Sequence, residues 1–385
     1  MARHLLVTND YLPKTGGIQV YLHELWRRLE PGRAVVVTAA SDPKAAAFDS
    51  EQEILIERLP GSTLFLPTRS ALRAIEAAIE RHQPDVVLID PAWPLGLLGP
   101  HLSRPYGVIL HGAEVTIPGH LPLVASSMRR VLRHAQFVLC AGSYPEAQAR
   151  RIAAEYLPPV IQLPPGVDTK RFEPLAIEQR RAVRTELGFT PEQFVVTSYS
   201  RLVPRKGMDT LIKASAQLRD SFPQLRVEIG GSGRDRERLE KIAVATGAPV
   251  IFKGRVPDEL LPRWLAASDV MVMDCRSRWL GLEEEGFGMV FLEAAACGVP
   301  QIAGRSGGSH EAVRDEVTGV VVHYSRSVDD LAAALATMMR YEQRREVLAH
   351  QARVVAVRDF NWDALAQRLS QELAPYDGFT TLHSS

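Results

Sequence analysis

What the 385-residue chain lacks narrows its class first. Cysteine is scarce: Cys140, Cys275 and Cys297 are the only three, with no CxxC pair and an odd thiol left over. Such a set does not frame a disulfide-stapled fold and points to a reduced, intracellular protein. Charge of one sign is not in excess, since Lys+Arg and Asp+Glu both count 45. Wrapping nucleic acid needs a basic surplus, so no nucleic-acid partner is expected, although a local basic patch is not excluded. No apolar run approaches the roughly 18 residues of a membrane span. The opening MARHLLVTND meets charge too early for a signal peptide and reads as a first strand. HExxH, Cys/His clusters and a DxD-type acidic pair are missing, so no metal is expected. No G-x-G-x-x-G follows the first strand, which argues against a dinucleotide-dependent oxidoreductase. Repeats and low-complexity tracts are also absent.

What is present is an ordinary globular balance, 46% hydrophobic and 23% charged, enough for a large core. At roughly 100–200 residues per domain the length suggests two domains. The first half alternates strand and helix. Strands are expected at Leu5–Thr8, Ala34–Thr38, Ile54–Leu59, Val86–Ile89, Gly107–Leu110, Phe137–Cys140 and Val160–Leu163. Helices are expected at Ile18–Leu29, Ser70–Arg81, Leu121–His134 and Tyr144–Tyr156. Strict alternation implies a parallel α/β sheet covered on both faces. Two prolines and a glycine in LPPGVDTKRF mark a boundary near 165–175. The rhythm then restarts, with strands at Phe194–Tyr199, Leu225–Gly230, Val250–Phe252, Val270–Met273, Gln301–Ala303 and Val320–Val322. Helices between and after them are expected at Met208–Arg219, Asp235–Ala245, Asp258–Ala267, Val328–Met339, on to about Val357, and Trp362–Leu373.

Ligands of open α/β sheets sit at the carboxyl ends of strands, so residues there are the candidates. Gly16-Gly17 follows the first strand, yet a bare glycine pair often only makes a turn. His111, in HGAE, follows the buried run VIL and is either a ligand-side group or a loop brace. Arg201, Arg205 and Lys206 crowd a strand end just before a helix N-terminus, where cations oppose the dipole unless an anion is near. Gly231-Ser232-Gly233 is a second glycine turn, and Arg255-Val256 offers backbone that could read a base. The stretch Cys275–Pro300 carries three glutamates, Glu283 to Glu285, then turns on Gly286 and Gly288 into a helix bearing Glu293. Eight positions separate Glu285 from Glu293, about 12 Å at helical rise, the length of a diphosphate with a sugar on either side. A solvated acidic loop capping an ordinary helix has the same pattern. The helix Leu121–His134 sets Arg129, Arg130, Arg133 and His134 against an apolar side, which suits either an anionic membrane surface or plain solvent.

These residues together resemble a retaining glycosyltransferase of the GT-B fold. The family is the large family 4 type that includes sucrose and phosphatidylinositol-sugar transferases, and the resemblance spans almost the whole chain. It is carried by Gly16-Gly17, His111-Gly112, Pro165-Gly166-Val167-Asp168, Ser200-Arg201, Lys206-Gly207, Gly231-Ser232-Gly233 and EGFGMVFLEAAACGVP. TNDYLPKTGGIQVYL and SRLVPRKGMDTLI further resemble actinobacterial mannosyltransferases that use GDP-mannose to extend phosphatidylinositol monomannoside. The resemblance implies two Rossmann-like parallel-sheet domains facing across a deep cleft. Residues 1–168 would form the acceptor-side domain and 169–358 the donor domain, with a helix at about 360–378 returning to the first.

It also implies roles. Arg201 and Lys206 would bind the diphosphate, and Gly16-Gly17 would let backbone approach the distal phosphate. Glu285 would hold hydroxyls of the transferred sugar and Glu293 the ribose. Gly286, Phe287, Gly288, Met289 and Val290 would line the donor between those glutamates, Gly231 and Ser232 beside it, with Arg255 and Val256 flanking the base. His111 would sit at the reaction centre, and Asp10 and Gln19 on the acceptor side. No cofactor beyond the nucleotide sugar would be needed. The acceptor would be a phosphoinositide glycolipid, and the protein cytoplasmic, touching the inner membrane face through residues 121–134. Departures from the family pattern are the HGAE stretch, which lacks a second histidine, the bulky Trp279 in Ser277–Leu280 and the segment Asp90–Trp93. They bear on the acceptor more than on the donor. A UDP-sugar transferase making a soluble glycoside keeps the same fold. A non-catalytic nucleotide-sugar binder would not need both glutamates and the cations.

Overall fold

The structure, a computed structural model, describes residues 3–40, 42–61, 63–119, 121–153 and 156–378. Two compact units form, one running up to Pro165 and resuming at Trp362, the other Gly166–Asn361.

In the first unit, β1 (His4–Thr8), β2 (Ala34–Ala40), β3 (Leu55–Pro60), β4 (Val86–Asp90), β5 (Tyr106–Leu110), β6 (Val138–Cys140) and β7 (Val160–Gln162) form one sheet in the order 3-2-1-4-5-6-7. Every pairing is parallel. Leu5, Leu6 and Val7 are fully buried, as are Val86 to Ile89, because helices cover both sheet faces and successive side chains on either face find core. Helix Trp362–Leu373 packs in this unit, with the Trp362 ring edge-on to Tyr21 at 6.2 Å and Asp363 accepting from Arg28 Nε at 2.8 Å.

The second unit repeats the plan. Strands β8 (Phe194–Tyr199), β9 (Leu225–Gly230), β10 (Val250–Gly254), β11 (Val270–Met273), β12 (Gln301–Gly304) and β13 (Gly319–Val322) lie in the order 10-9-8-11-12-13, again all parallel. The segment after Pro165 belongs here: Val167 N–H donates to Phe360 O at 2.7 Å and Arg353 reaches the carbonyls of Thr169, Phe172 and Ala296. Proline and glycine in that segment therefore open a packed strap rather than a free linker.

Some elements depart from expectation for physical reasons. A helix forms at Ala113–Gly119 because Glu114 accepts from the His111 and Gly112 backbone N–H groups and caps its start. Ile177–Glu186 is helical with little apolar surface, held by buried Arg184 binding Asp269, the Ala267 carbonyl and the Gln193 carbonyl. The helix expected from Asp258 starts only at Leu261, with Pro262 just inside it. Of the helix expected over Tyr144–Tyr156, Ser143–Ala153 is helical, and residues 154 and 155 lie outside the described residues.

Candidate active site

In both sheets the strand order reverses direction once, between β1 and β4 and between β8 and β11. Loops leaving these neighbouring strands in opposite directions open a crevice at their carboxyl ends. The candidate residues gather at these two places.

In the second unit, β8 runs into Ser200-Arg201, and the turn Pro204–Lys206 leads through Gly207 into helix Met208–Leu218. Gly207 has φ +70°, and a Cβ there would lie 1.9 Å from the Asp274 carbonyl at the end of β11. Only glycine lets the lysine loop lie so close to that strand end. The Gly231 turn backs onto the same place, since a Cβ on Gly231 would meet Ser200 O at 1.9 Å. Leu202 N–H donates to Ser232 O at 2.9 Å.

Glu285 is the hub of this cluster. Its residue is 6% exposed. Its Oε2 accepts from Lys206 Nζ at 2.7 Å, from the Arg205 guanidinium, and from Cys275 Sγ at 3.7 Å. Burial pushes this carboxyl up, but the Lys206 ammonium and Arg205 guanidinium outweigh it and hold the group down to about 2. All three donors converge on one oxygen, and Oε1 takes no hydrogen bond from a described residue. Behind it, Glu285 N–H donates to Ser306 Oγ at 3.2 Å. Gly307 and Gly308 lie so close to the Glu285 and Gly286 carbonyls that a Cβ on either would sit 2.1 or 2.3 Å from them. The small-residue turn is thus the clamp that fixes the glutamate loop.

The helix Met289–Ala296 starts after Gly288, whose φ is +94°. Phe287 points into the core, edge-on to Phe360 at 5.7 Å, so only its backbone faces the loop. Met289 and Val290 are half-buried, Val290 against the core. Glu293 is half-buried too, and its Oε2 is enclosed with no hydrogen-bond partner among the described residues. Burial is the main cause that raises its carboxyl to about 7. Arg201 and Arg255 are exposed and Val256 is buried. The Arg201 guanidinium takes no partner among the described residues. Lys206, in contrast, is already engaged by Glu285.

In the first unit, His111 Nε2 lies 2.9 Å from Asp90 Oδ1, and Asp90 Oδ2 accepts from Thr8 Oγ1 at 2.8 Å. The Tyr21 ring stands edge-on to the imidazole at 5.3 Å. Burial alone would lower the imidazole's pKa, but the Asp90 carboxylate outweighs it and the net shift is upward. Asp10 binds the Lys14 ammonium. Gly16 and Gly17 are exposed at the start of helix Gly17–Trp26, and Gln19 is buried. A Cβ on Gly16 would fall 2.1 Å from Gln19 Oε1, so this side chain folds back over the glycine turn.

Three partners escape motif reading: Arg205 on Glu285, Asp90 on His111, and Thr8 on Asp90. Position was their only signal, since each lies at or just beyond a strand end beside the order reversal. Among the described residues no set of three His, Cys, Asp or Glu is arranged to hold a metal ion.

Comparison with known proteins places this arrangement. Residues 15–171 match the model for glycosyltransferase family 4 and residues 179–355 that for glycosyl transferases group 1. The chain is 38% identical to the GDP-mannose-dependent alpha-(1-6)-phosphatidylinositol monomannoside mannosyltransferase of Mycobacterium tuberculosis, over 97% of this chain and 98% of that relative. It is 35% identical to the enzyme of Corynebacterium glutamicum named for the monoacylated form of that acceptor, over 96% and 97%. Among solved structures, Anabaena HepE with UDP superposes with a TM-score of 0.80 at 22% identity, over 97% of this chain and 100% of that one. Sucrose-phosphate synthase of Thermosynechococcus elongatus gives 0.78, also at 22% identity, over 97% and 98%. These two likenesses establish the two-Rossmann GT-B fold, and the near full-length identity to the mannosyltransferases establishes more: the chain belongs to the group 1 glycosyltransferases, with a family 4 first domain.

Proposed function

We propose that this glycosyltransferase moves mannose from GDP-mannose to a phosphatidylinositol mannoside, with retention at the anomeric carbon. The observation that carries the reading is identity of 35–38% over 96–97% of the chain to relatives that all bear that activity by name. The site geometry supports it. Arg201 and Lys206 meet the diphosphate, and their charge stabilises the leaving phosphate without a metal ion. When phosphate takes Lys206, Arg205 keeps Glu285 ionised, and the open Oε1 accepts from mannose hydroxyls. Glu293 accepts from the ribose. The Gly231-Ser232 turn and the Arg255-Val256 backbone border the nucleoside, and Gly16-Gly17 approaches the distal phosphate. His111 serves the reaction centre, with Asp10 and Gln19 on the acceptor side.

The chemistry breaks the bond between the anomeric carbon and the β-phosphate oxygen and forms one from that carbon to the acceptor oxygen. The acceptor's proton passes to the departing phosphate, so GDP leaves with the electron pair. No helix among the described residues is long and apolar enough to cross a membrane. Helix Pro122–His134 exposes Arg129, Arg130, Arg133 and His134, which suits an anionic lipid surface where a glycolipid acceptor resides.

The test is a panel of nucleotide sugars with a phosphatidylinositol mannoside extract, read by mass spectrometry. One added hexose is expected from GDP-mannose alone. Transfer from a UDP-sugar but not from GDP-mannose overturns the donor. Failure to sediment with anionic vesicles removes the membrane contact.

A further inference from the structure

The loop that leads into Glu285 carries a feature the proposed donor chemistry does not use. Trp279 and Leu280 have φ of +50° and +56°, and Gly281 follows at +89°. Two bulky residues in succession thus adopt the left-handed region, which costs free energy for any side chain and almost none for glycine. Both point outward: Trp279 is 60% exposed and Leu280 fully exposed at 101%. Neither core packing nor backbone preference accounts for them, and strain kept at such a place marks a functional demand.

The base of this loop is fixed, so the tip is held rather than loose. Arg278 and Glu283 pair as an antiparallel bridge, with Arg278 N–H to Glu283 O at 2.9 Å and the return bond at 3.2 Å. Their side chains join as well, Arg278 to Glu283 Oε2 at 2.9 Å. Ser277 Oγ donates to Glu284 Oε1 at 2.7 Å. The Arg278 guanidinium then lies over the Trp279 ring, 4.6 Å from its centroid. One face of the indole is thereby covered by a cation that is itself anchored, and the exposure belongs to the rest of the ring. The result is a flat apolar platform of fixed orientation.

Its place says what it meets. Glu283 is two residues from Glu285, so at ~3.5 Å per residue the hairpin base lies within about 7 Å of the Glu285 backbone. That is one sugar ring away from the carboxylate proposed to hold mannose. The surroundings do not favour a bilayer: Glu283 and Glu284 sit in the same hairpin, and Arg278 is neutralised by Glu283. A polar ring with an apolar C–H face, presented beside the transferred sugar, fits all of these facts.

We infer that Trp279, with Leu280 at its edge, is an acceptor subsite that stacks on the C–H face of a cyclitol or hexose ring of the acceptor. The inference rests on the transferase reading above and adds what the acceptor must offer, a ring face and not only an acyl chain. It makes Trp279 a specificity-determining residue and explains why strain is tolerated there.

The strain supplies the test. Trp279→Gly relieves the left-handed backbone, offsetting the flexibility that glycine adds to the unfolded chain, so the melting temperature stays within about 2 °C of wild type. Affinity for GDP is unchanged. The KM for both a phosphatidylinositol mannoside in detergent and the acyl-free inositol mannoside rises ~10-fold, the worth of one stacked ring. Trp279→Phe recovers most of it. An unchanged acceptor KM in Trp279→Gly overturns the inference. So does a loss seen only with the lipid acceptor and matched by lost vesicle binding, which would make the tip a membrane contact. Binding of the acyl-free inositol mannoside can also be followed by intrinsic tryptophan fluorescence, comparing wild type with Trp279→Phe. That signal reports stacking even if GDP-mannose proves not to be the donor, so the two readings fail separately.

Discussion

Where β8 ends, the side chains that meet are ions, and where β1 ends they are a histidine, a carboxylate and a hydroxyl. Both places lie at the reversal of a parallel sheet of nearly the same order. In the second unit two cations share one oxygen of Glu285 before any ligand arrives. In the first, Thr8, Asp90 and His111 form a chain of hydrogen bonds that ends on an imidazole. A shared fold supplies a crevice, and the residues at the strand ends decide whether the crevice stores charge or aims a single group. The second unit keeps a carboxylate ionised between two cations, and the first holds an imidazole against a carboxylate.

The comparison breaks most visibly if the charge store is dismantled. Lys206→Ala removes the ammonium proposed to pass from Glu285 to the diphosphate, and transfer is expected to fall ~10³-fold with weaker binding of GDP. Arg205→Ala is expected to cost only ~10-fold, because Lys206 still neutralises Glu285 until donor binds. Its signature is in pH. Without Arg205 the Glu285 carboxyl rises from about 2, so the acid limb of the activity profile moves to higher pH. Steady-state kinetics between pH 4 and 8 reads both: the wild-type limb lies below this window, and the Arg205→Ala limb enters it. Equal losses, or an acid limb that stays in place, would mean the two cations do not divide the work in this way.

Much of this was legible from residues alone, and the reasons are uneven. Phe194–Tyr199, Leu225–Gly230 and Val270–Met273 read as strands because each is a short apolar run closed by polar or glycine residues, and each forms over those residues. Glu285 and Glu293 stood out through their spacing and glycine setting. Arg205 stood out only as one of three neighbouring cations, since order along the chain does not say which of them reaches a carboxylate 80 positions away. Asp90 entered only within a segment that departs from the family pattern and Thr8 not at all, both being common residues at common strand ends whose meeting depends on β1 lying beside β4. Helix Ile177–Glu186 escaped because its stability comes from the bonds of Arg184 and not from an apolar stripe.

On the orienting side the expected effect is smaller. Asp90→Asn keeps the shape but removes the charge that holds the His111 pKa up, leaving burial to lower it. The imidazole should then titrate at lower pH, seen directly by NMR of the histidine ring. Transfer should fall ~10–100-fold, in kcat more than in the donor KM, because the group is aimed rather than bound. An unchanged His111 titration would show that Asp90 does not govern it, and a loss confined to donor KM would move His111 out of the reaction centre.

The smallest effect separates charge kept for ligand from charge kept out. Asp274 ends β11 beside Gly207, buried to 1%, and burial pushes its carboxyl up to about 8. Glu285, one loop away, is held down to about 2 by its cations. The two therefore bend stability in opposite directions. Glu285 contributes stability above its unfolded pKa, lost as pH falls toward 2. Asp274 is neutral in the fold while the unfolded chain ionises near pH 4, so stability drains as pH rises from there to about 8 and no further. Asn at 274 has no proton to lose and escapes that drain. Asp274→Asn should match wild type in thermal unfolding near pH 4 and exceed it by up to about 5 kcal/mol at pH 9, the linkage of a carboxyl raised from near 4 to about 8. Activity near neutrality should stay within about 3-fold, since Asn keeps the shape and the neutral charge that Asp274 has in the fold. If the two proteins lose stability in parallel up to pH 9, Asp274 is ionised in the fold, and the second unit's strand ends hold two charged carboxylates rather than one charged and one neutral.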